Sequence, residues 1–353
     1  MSETSLEKLL AAVGEPPRLL IVTHDNPDPD ALVTASALAR LVEAMRKTKC
    51  RISCSGVVGR AENRVLARAL RVKPMAASRL NWQRWPKIAL VDCQPGTGNN
   101  SFPPRRIPDI VLDHHPVRSR TRGRFVEVQP AYGACATMLA EYFQQGEVAV
   151  GADLAAAFCY AIASETRDFS RDTSPADIEA YVRLYPGANK RLLSRILHPR
   201  LKPSYYSTIA RAVISAFTYS NIIGSHLGDV DHPDMVSLVA DFLIRHQRMG
   251  WSFVTGRCKN ELIVSIRMLG SNAHAGTILR RVLAKRGHAG GHGAMAGGQV
   301  SLNGLDAAAR TQLENDLALR FIHVLRRRRD VELKPLMPPN ELELICKRLG
   351  GPV

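Results

Sequence analysis

Two rhythms of apolar residues alternate along the first half of the chain. Short, continuous runs occur at 19–23, 51–58, 88–92, 109–113 and 125–128. Between them, at 31–45, 61–70 and 137–143, apolar positions return every three or four residues, the helical spacing. A long apolar helical stretch follows at 153–164. Strand–helix–strand alternation predicts a parallel sheet with right-handed crossovers. Continuous runs, as opposed to every-other-residue patterning, predict a sheet covered on both faces. Tyr185-Pro186-Gly187 breaks the pattern, and a basic, proline-punctuated stretch runs on through Pro203. A second alternation then begins, with strand-like 219–226, helix 232–247, strands 251–257 and 261–268, helix 275–286, a glycine-rich loop, strand 299–302 and helix 306–325. The tail is rich in proline and charge, with one more helix expected at 339–348.

Three of the early runs end in groups that bind metal or phosphate. Ile21-Val22-Thr23 opens into His24-Asp25-Asn26-Pro27-Asp28-Pro29-Asp30, the run at 88–91 ends in Asp92, and the run at 109–112 ends in Asp113-His114-His115-Pro116. In an open parallel sheet, ligands collect outside the carboxyl ends of the strands. Pro27 and Pro29 exclude helix and strand from the first segment and make it a rigid loop. Asp28 and Asp30, two residues apart, can turn toward two different ions. A single Asp in such a turn is explained as a cap, and Asp30 before Ala31 suits that role. The whole set is not so explained, because many ionisable groups at one place are costly without counter-charge. Carboxylates with some imidazole suit Mn or Mg before Zn. Two ions ~3.5–4 Å apart would clamp a phosphoryl oxygen and share a hydroxide nucleophile.

These residues resemble the DHH phosphoesterase superfamily, which includes RecJ-type nucleases, nanoRNases that also cleave pAp, cyclic-dinucleotide phosphodiesterases and manganese pyrophosphatases. The motifs that carry the resemblance are His24-Asp-Asn-Pro-Asp28-Pro-Asp30-Ala31, Val91-Asp92, Asp113-His114-His115-Pro116 and Ser164-Glu165-Thr166-Arg167-Asp168-Phe169. The resemblance implies one ion held by His24, Asp28 and Asp92, and a second held by Asp30, Asp92, His114 and an acid of the fourth motif, with Asp92 bridging. That acid is Glu165 where the family usually has Asp, with Asp168 as the fallback ligand. Asp113 would orient an imidazole, and His115 would donate to a phosphate oxygen or act as general acid. Further on, Ile266-Arg267 and the segment from Gly287 to Gly298 resemble the DHH-associated substrate domain. There Arg267, His292 and the backbone of Gly290 and Gly291 would bind phosphate. The resemblance runs from about residue 18 to 303.

Length and charge add boundaries and partners. At 353 residues the chain is long for one core. It divides into a DHH catalytic domain at 1–185, a linker at 186–220, a smaller α/β substrate-binding domain at 221–330 and a tail at 331–353, with the active site expected in the cleft between the two domains. No run approaches the ~20 apolar residues of a membrane span, and no leader pattern follows Met1. The seven cysteines are odd in number and scattered, as expected of reduced thiols in a cytoplasmic protein. The net charge of +16 draws anions, nucleic acid among them. The run Arg326 to Arg329 ends a helical segment, where it complements the helix dipole.

The resulting expectation is an α/β manganese-dependent phosphodiesterase or phosphomonoesterase with two Mn2+ ions, Mg2+ serving less well. Its substrate would be a phosphate-containing nucleotide or short single-stranded nucleic acid: oligoribonucleotide, linear dinucleotide or pAp. The rivals are an inorganic pyrophosphatase, a single-strand exonuclease of the same superfamily, and a non-catalytic nucleotide sensor. Exonucleases on long strands usually carry stacking aromatics, and only 6% of this chain is aromatic. Oligomeric state is not legible in the sequence, and a homodimer is compatible with it.

Overall fold

The computed structural model describes residues 3–270, 274–326, 331–338, 340, 341 and 343, except for the side chain of His292. The expected helix at 339–348 and Arg327 to Arg329 fall largely or wholly outside them. The chain divides into two compact units, Met1–Arg200 and Leu201–Val353.

The first unit runs α1 (Ser5–Val13), β1 (Arg18–Val22), α2 (Pro29–Arg46), β2 (Lys49–Cys54), α3 (Ala61–Ala69), β3 (Met75–Ala76), β4 (Lys87–Val91), β5 (Ile110–Asp113), β6 (Phe125–Val128), α4 (Cys135–Gln145), α5 (Ala152–Glu165), α6 (Pro175–Leu184) and α7 (Lys190–Leu197). All five strand pairings are parallel, in the order β3-β2-β1-β4-β5-β6. The order reverses between β1 and β4, and such a reversal opens a crevice at the strands' carboxyl ends. The continuous apolar runs have the expected cause. Leu19 and Ile21 pack with α2, α4 and α5 on one face, while Leu20 and Val22 pack with Ile88, Leu90, Trp85 and Phe102 on the other. At ~1.5–3 kcal/mol per buried Leu, Ile or Val side chain, the two-sided burial of β1, β4 and β5 holds their ends in place.

Asp28 caps α2 by accepting the N–H of Ala31 at 3.0 Å, and Pro29 occupies the first helical position, where its missing N–H costs nothing. The cap is therefore Asp28 and not Asp30.

The second unit runs α8 (Pro203–Ile214), β7 (Phe217–Tyr219), β8 (Ile222–Asp229), α9 (Asp234–Leu243), β9 (Trp251–Cys258), β10 (Glu261–Met268), α10 (Ala275–Leu283), β11 (Gly287–His292), β12 (Met295–Ser301), α11 (Ala307–Arg326) and β13 (Lys334–Pro335). Its sheet has the order β11-β12-β10-β9-β8-β7-β13 and is antiparallel except for the β8–β9 pair. Residues 186–220, read in the sequence as a connection, carry α7, packed into the first unit's core through Leu192 and Ile196, then α8 and β7.

The glycine-rich loop expected before residue 299 is a hairpin. Gly290 pairs with Gly297 and Gly291 with Ala296. Glycine is a poor strand former by itself, and here close backbone approach selects it. A Cβ on Gly276 of α10 would lie 2.3 Å from the Gly291 carbonyl oxygen, and one on Gly291 (φ 152°) would lie 2.4 Å from that of Met295.

Among the described residues no helix is long and apolar enough to cross a membrane, and six cysteines are free thiols.

Candidate metal centre

Each expected ligand of the first unit stands just beyond a strand or at a helix end. His24 lies two residues past β1. Asp92 follows β4 directly, in a left-handed backbone (φ 56°) that Asp tolerates better than most side chains, with its N–H bonded to the Leu112 carbonyl at 2.8 Å. Asp113 ends β5, and His114 and His115 follow.

Two sets of ligand atoms meet at Asp92. His24 Nε2 is 3.6 Å from Asp28 Oδ1 and 3.4 Å from Asp92 Oδ2. His114 Nε2 is 3.6 Å from Asp92 Oδ1 and 3.7 Å from Asp30 Oδ2. Asp92 thus offers one oxygen to each set. Ligand atoms bonded at ~2.1 Å to one ion stand roughly 3.0–3.4 Å apart, so both sets are close to the spacing of a coordination sphere.

Imidazole orientation supports the same reading. His24 Nδ1 donates to the Asp25 carbonyl at 2.9 Å, and His114 Nδ1 donates to the Tyr132 carbonyl at 3.2 Å. In the neutral ring each Nε2 then carries the lone pair and faces carboxylates, the arrangement of a metal-ligating histidine. Asp92 Oδ1 and His114 Nε2 are buried and have no hydrogen-bond partner among the described residues. Orphaned acceptors of this kind, facing one another, fit divalent cations.

The electrostatics show what the cluster lacks. Burial pushes the Asp30 carboxyl well up from its ordinary range, and the charges of Asp92, Glu165 and Asp28 push it further. Glu165 rises to about 8 through burial and the charges of Asp28 and Asp92, against the opposing pull of Arg171 and His115. Burial alone would lower His24, but Asp28 and Asp92 raise it well above the usual imidazole range. Protons here take the place that positive ions would fill.

The fourth segment brings in Glu165. It ends α5, feels the charges of Asp28 and Asp92, and lies 3.5 Å from the Arg171 guanidinium. Asp168 is exposed, in a run of three left-handed residues from Arg167 to Phe169.

Asp113 and His115 form a pair. Asp113 Oδ1 accepts the Nδ1 proton of His115 at 2.8 Å and the N–H of His114 at 2.9 Å. Burial would lower the imidazole's pKa, but the bond to Asp113 and the charges of Asp92, Asp113 and Glu165 carry it to about 9.

Several supporting groups had no signal in the sequence. Gln94, fully buried, donates to Asp113 Oδ2 at 2.6 Å. Asp177, from the first turn of α6, accepts the Gly133 N–H at 2.8 Å and so fixes the turn whose Tyr132 carbonyl orients His114. A buried Asp in a capping box gives no hint of a partner 44 residues away.

In the second unit, Arg267 is buried and occupied. Its Nε meets Asp241 Oδ1 at 2.5 Å, Nη1 donates to Ser265 Oγ and the Ile266 carbonyl, and Nη2 reaches the Ser237 carbonyl and Asp241 Oδ2. A phosphate would have to compete with Asp241. Gly290 and Gly291 lie on β11, the edge strand, whose outer side pairs with no further strand among the described residues. The His292 side chain lies outside the described residues.

Residues 216–315 match the DHHA1 domain. Over 273 residues, 76% of this chain, the sequence is 30% identical to an uncharacterized protein of Methanocaldococcus jannaschii, and the match spans 56% of that relative's length. The fold resembles that of an exopolyphosphatase-related protein from Bacteroides fragilis, with a TM-score of 0.67 at 13% identity, covering 91% of this chain and 98% of that one. Residues 216–315 are thus a DHHA1 domain, and the chain shares the fold of that exopolyphosphatase-related protein.

Proposed function

We propose that the protein is a metal-dependent phosphoesterase whose substrate is a small nucleotide: a short oligoribonucleotide, a linear dinucleotide or pAp. The observation that carries this reading is the double role of Asp92, whose two oxygens face His24 and His114 from opposite sets of ligands. His24, Asp28 and Asp92 would hold one divalent ion, and Asp92, His114, Asp30 and Glu165 a second. An imidazole in each set favours Mn2+ over Mg2+. Bound there, the ions would withdraw charge from a phosphoryl oxygen and acidify the attacking water.

The chain's own residues supply the rest. Asp113 fixes the Nδ1 side of His115 and so orients the ring, whose Nε2 would donate a proton to a phosphate oxygen or the leaving oxygen. The outer edge of β11, where alternate backbone N–H groups point away from β12, would offer a donor to an anion near Gly290 and Gly291. A Cβ on Gly290 would meet nothing within 4 Å, so Gly290→Ala isolates this role from packing.

The test is a panel of pAp, a linear dinucleotide, a short oligoribonucleotide, a cyclic dinucleotide and pyrophosphate, offered to purified protein with Mn2+, with Mg2+ and after chelation. Turnover of one of the first three with Mn2+, abolished by chelation, is expected. Turnover of pyrophosphate alone would make the protein a pyrophosphatase, and full activity after exhaustive chelation would end the two-metal reading.

A further inference from the structure

Gln94 lies two residues beyond Asp92, in the loop that follows β4, with a relative exposure of 1%. Its side chain ties that loop to the Asp113-His114-His115 segment from both ends of its amide. The Nε2 group donates to Asp113 Oδ2 at 2.6 Å and reaches the carbonyls of Pro116 at 3.2 Å and His115 at 3.5 Å. The Oε1 atom accepts the Arg118 N–H at 2.8 Å and the Thr121 hydroxyl at 2.5 Å. Its own carbonyl accepts from Thr97 Oγ1 at 2.8 Å and Asn100 Nδ2 at 2.9 Å, which fixes its backbone as well.

Asp113 shows why this matters. Its Oδ1 is taken by the N–H groups of His114 and His115 and by His115 Nδ1, while among the described residues the side chain bonded to Oδ2 is Gln94. A carboxylate held on one oxygen alone can rotate about its Cβ–Cγ bond, and every degree of rotation would swing the acceptor on which the His115 ring is hung. A donor on Oδ2 stops that rotation. Because Gln is neutral it does so without adding a charge to a cluster already crowded with carboxylates.

We propose that Gln94 is a positioning residue for His115, acting through Asp113 and touching neither substrate nor metal. The proposal rests on the functional reading above, which assigns His115 its proton-donating role. Loss of a partner that orients an active-site group costs about 10–100-fold in activity.

The experiment compares Gln94→Met, which keeps the volume and removes both polar ends, with Gln94→Glu, which keeps the acceptor for Arg118 and Thr121 but turns a carboxylate on Asp113. For the panel substrate that the wild type cleaves, kcat is expected to fall at least about tenfold in both variants. KM is expected to stay within about twofold, and Mn2+ affinity by calorimetry to match the wild type, since the ligand atoms are untouched. Adding Asp113→Asn to Gln94→Glu restores a donor–acceptor pair of reversed polarity, so the double variant should exceed either single variant in kcat. Independently of turnover, the His115 Nδ1 proton resonance in 15N-histidine-labelled, Mg2+-loaded protein should shift or broaden in Gln94→Met. Wild-type kcat in both variants, Mn2+ affinity falling in step with kcat, a double variant no better than the singles, or an unchanged His115 resonance would each overturn the proposal. A wild type that cleaves no panel member defeats the functional reading instead, and the resonance then decides the positioning role.

Discussion

Asp30 Oδ2 accepts the backbone N–H of Cys135 at 2.7 Å, and its Oδ1 accepts that of Ala136 at 2.8 Å. A carboxylate in the first turn of α2 therefore closes the N-terminus of α4, whose own N-cap residue, Ala134, has no side chain able to do so. The same carboxylate faces His114 in the proposed second metal set. Removing it should therefore destabilise the fold even without metal. In the presence of chelator, Asp30→Ala is expected to lose about 1–3 kcal/mol in urea unfolding, because two buried N–H groups at the start of α4 lose their acceptor. Unchanged stability under chelation would reduce Asp30 to a ligand alone.

Asp92 should behave unlike every other ligand. Because its two oxygens face different sets, Asp92→Asn is expected to abolish both Mn2+ equivalents in a calorimetric titration, whereas Asp28→Asn should spare the set around His114. Thermal stability follows by mass action. Each occupied site at a hundred times its Kd adds about 2.7 kcal/mol to the wild type, and Asp92→Asn should show no Mn2+-dependent gain.

Gly133 sits where the loop carrying Tyr132 passes under α6. A Cβ there would lie 2.5 Å from Thr166 Cγ2, 2.7 Å from the Asp172 carbonyl and 2.9 Å from Asp177 Oδ2. Gly133→Ala is expected to cost roughly 1–3 kcal/mol by overpacking. It should also weaken Mn2+ binding, because the Tyr132 carbonyl that orients His114 must move. Intact Mn2+ affinity in a destabilised variant would uncouple the turn from the metal centre.

His226 gives the second unit an acid-sensitive core. The ring packs against Phe217 and Phe253 and shares a hydrogen bond between Nδ1 and Thr255 Oγ1 at 2.7 Å, and burial together with the Arg257 charge lowers its pKa to about 4. Below the ordinary imidazole value of ~6.5, the unfolded chain takes up a proton that the folded unit refuses. Stability should therefore fall as pH drops from about 6.5 to about 4, by at most about 3 kcal/mol, and this contribution should be flat outside that window. Hydrogen exchange of residues 217–258 across that range reports it, and His226→Phe should flatten the response. An equally steep loss in the variant would assign the effect elsewhere.

Of the fourth segment's acids, Glu165→Gln is expected to lower activity strongly while Asp168→Asn leaves it near wild type, since Glu165 is held among the charges of Asp28 and Asp92 while Asp168 is exposed. Steady-state rates with the active panel substrate distinguish them, and the reverse ranking would move the ligand to Asp168.

Residue types and local rhythm already contained the alternating strands and helices of the first unit and the acids and imidazoles at the ends of β1, β4 and β5. A buried parallel strand must be apolar on both faces, and a group at its end is displaced by one position at most. What tertiary structure alone decided lies in bonds between distant segments. Asp30 meets an amide 105 residues away, Gln94 meets Asp113 across 19, and Arg267 meets Asp241 across 26, so that the guanidinium read as a phosphate ligand is already paired. The glycines at 287–298 form a hairpin because α10 presses against them, and isolated glycines have no preference that would announce it. Such partners are fixed by where the backbone returns in space, and no local pattern of side chains encodes that.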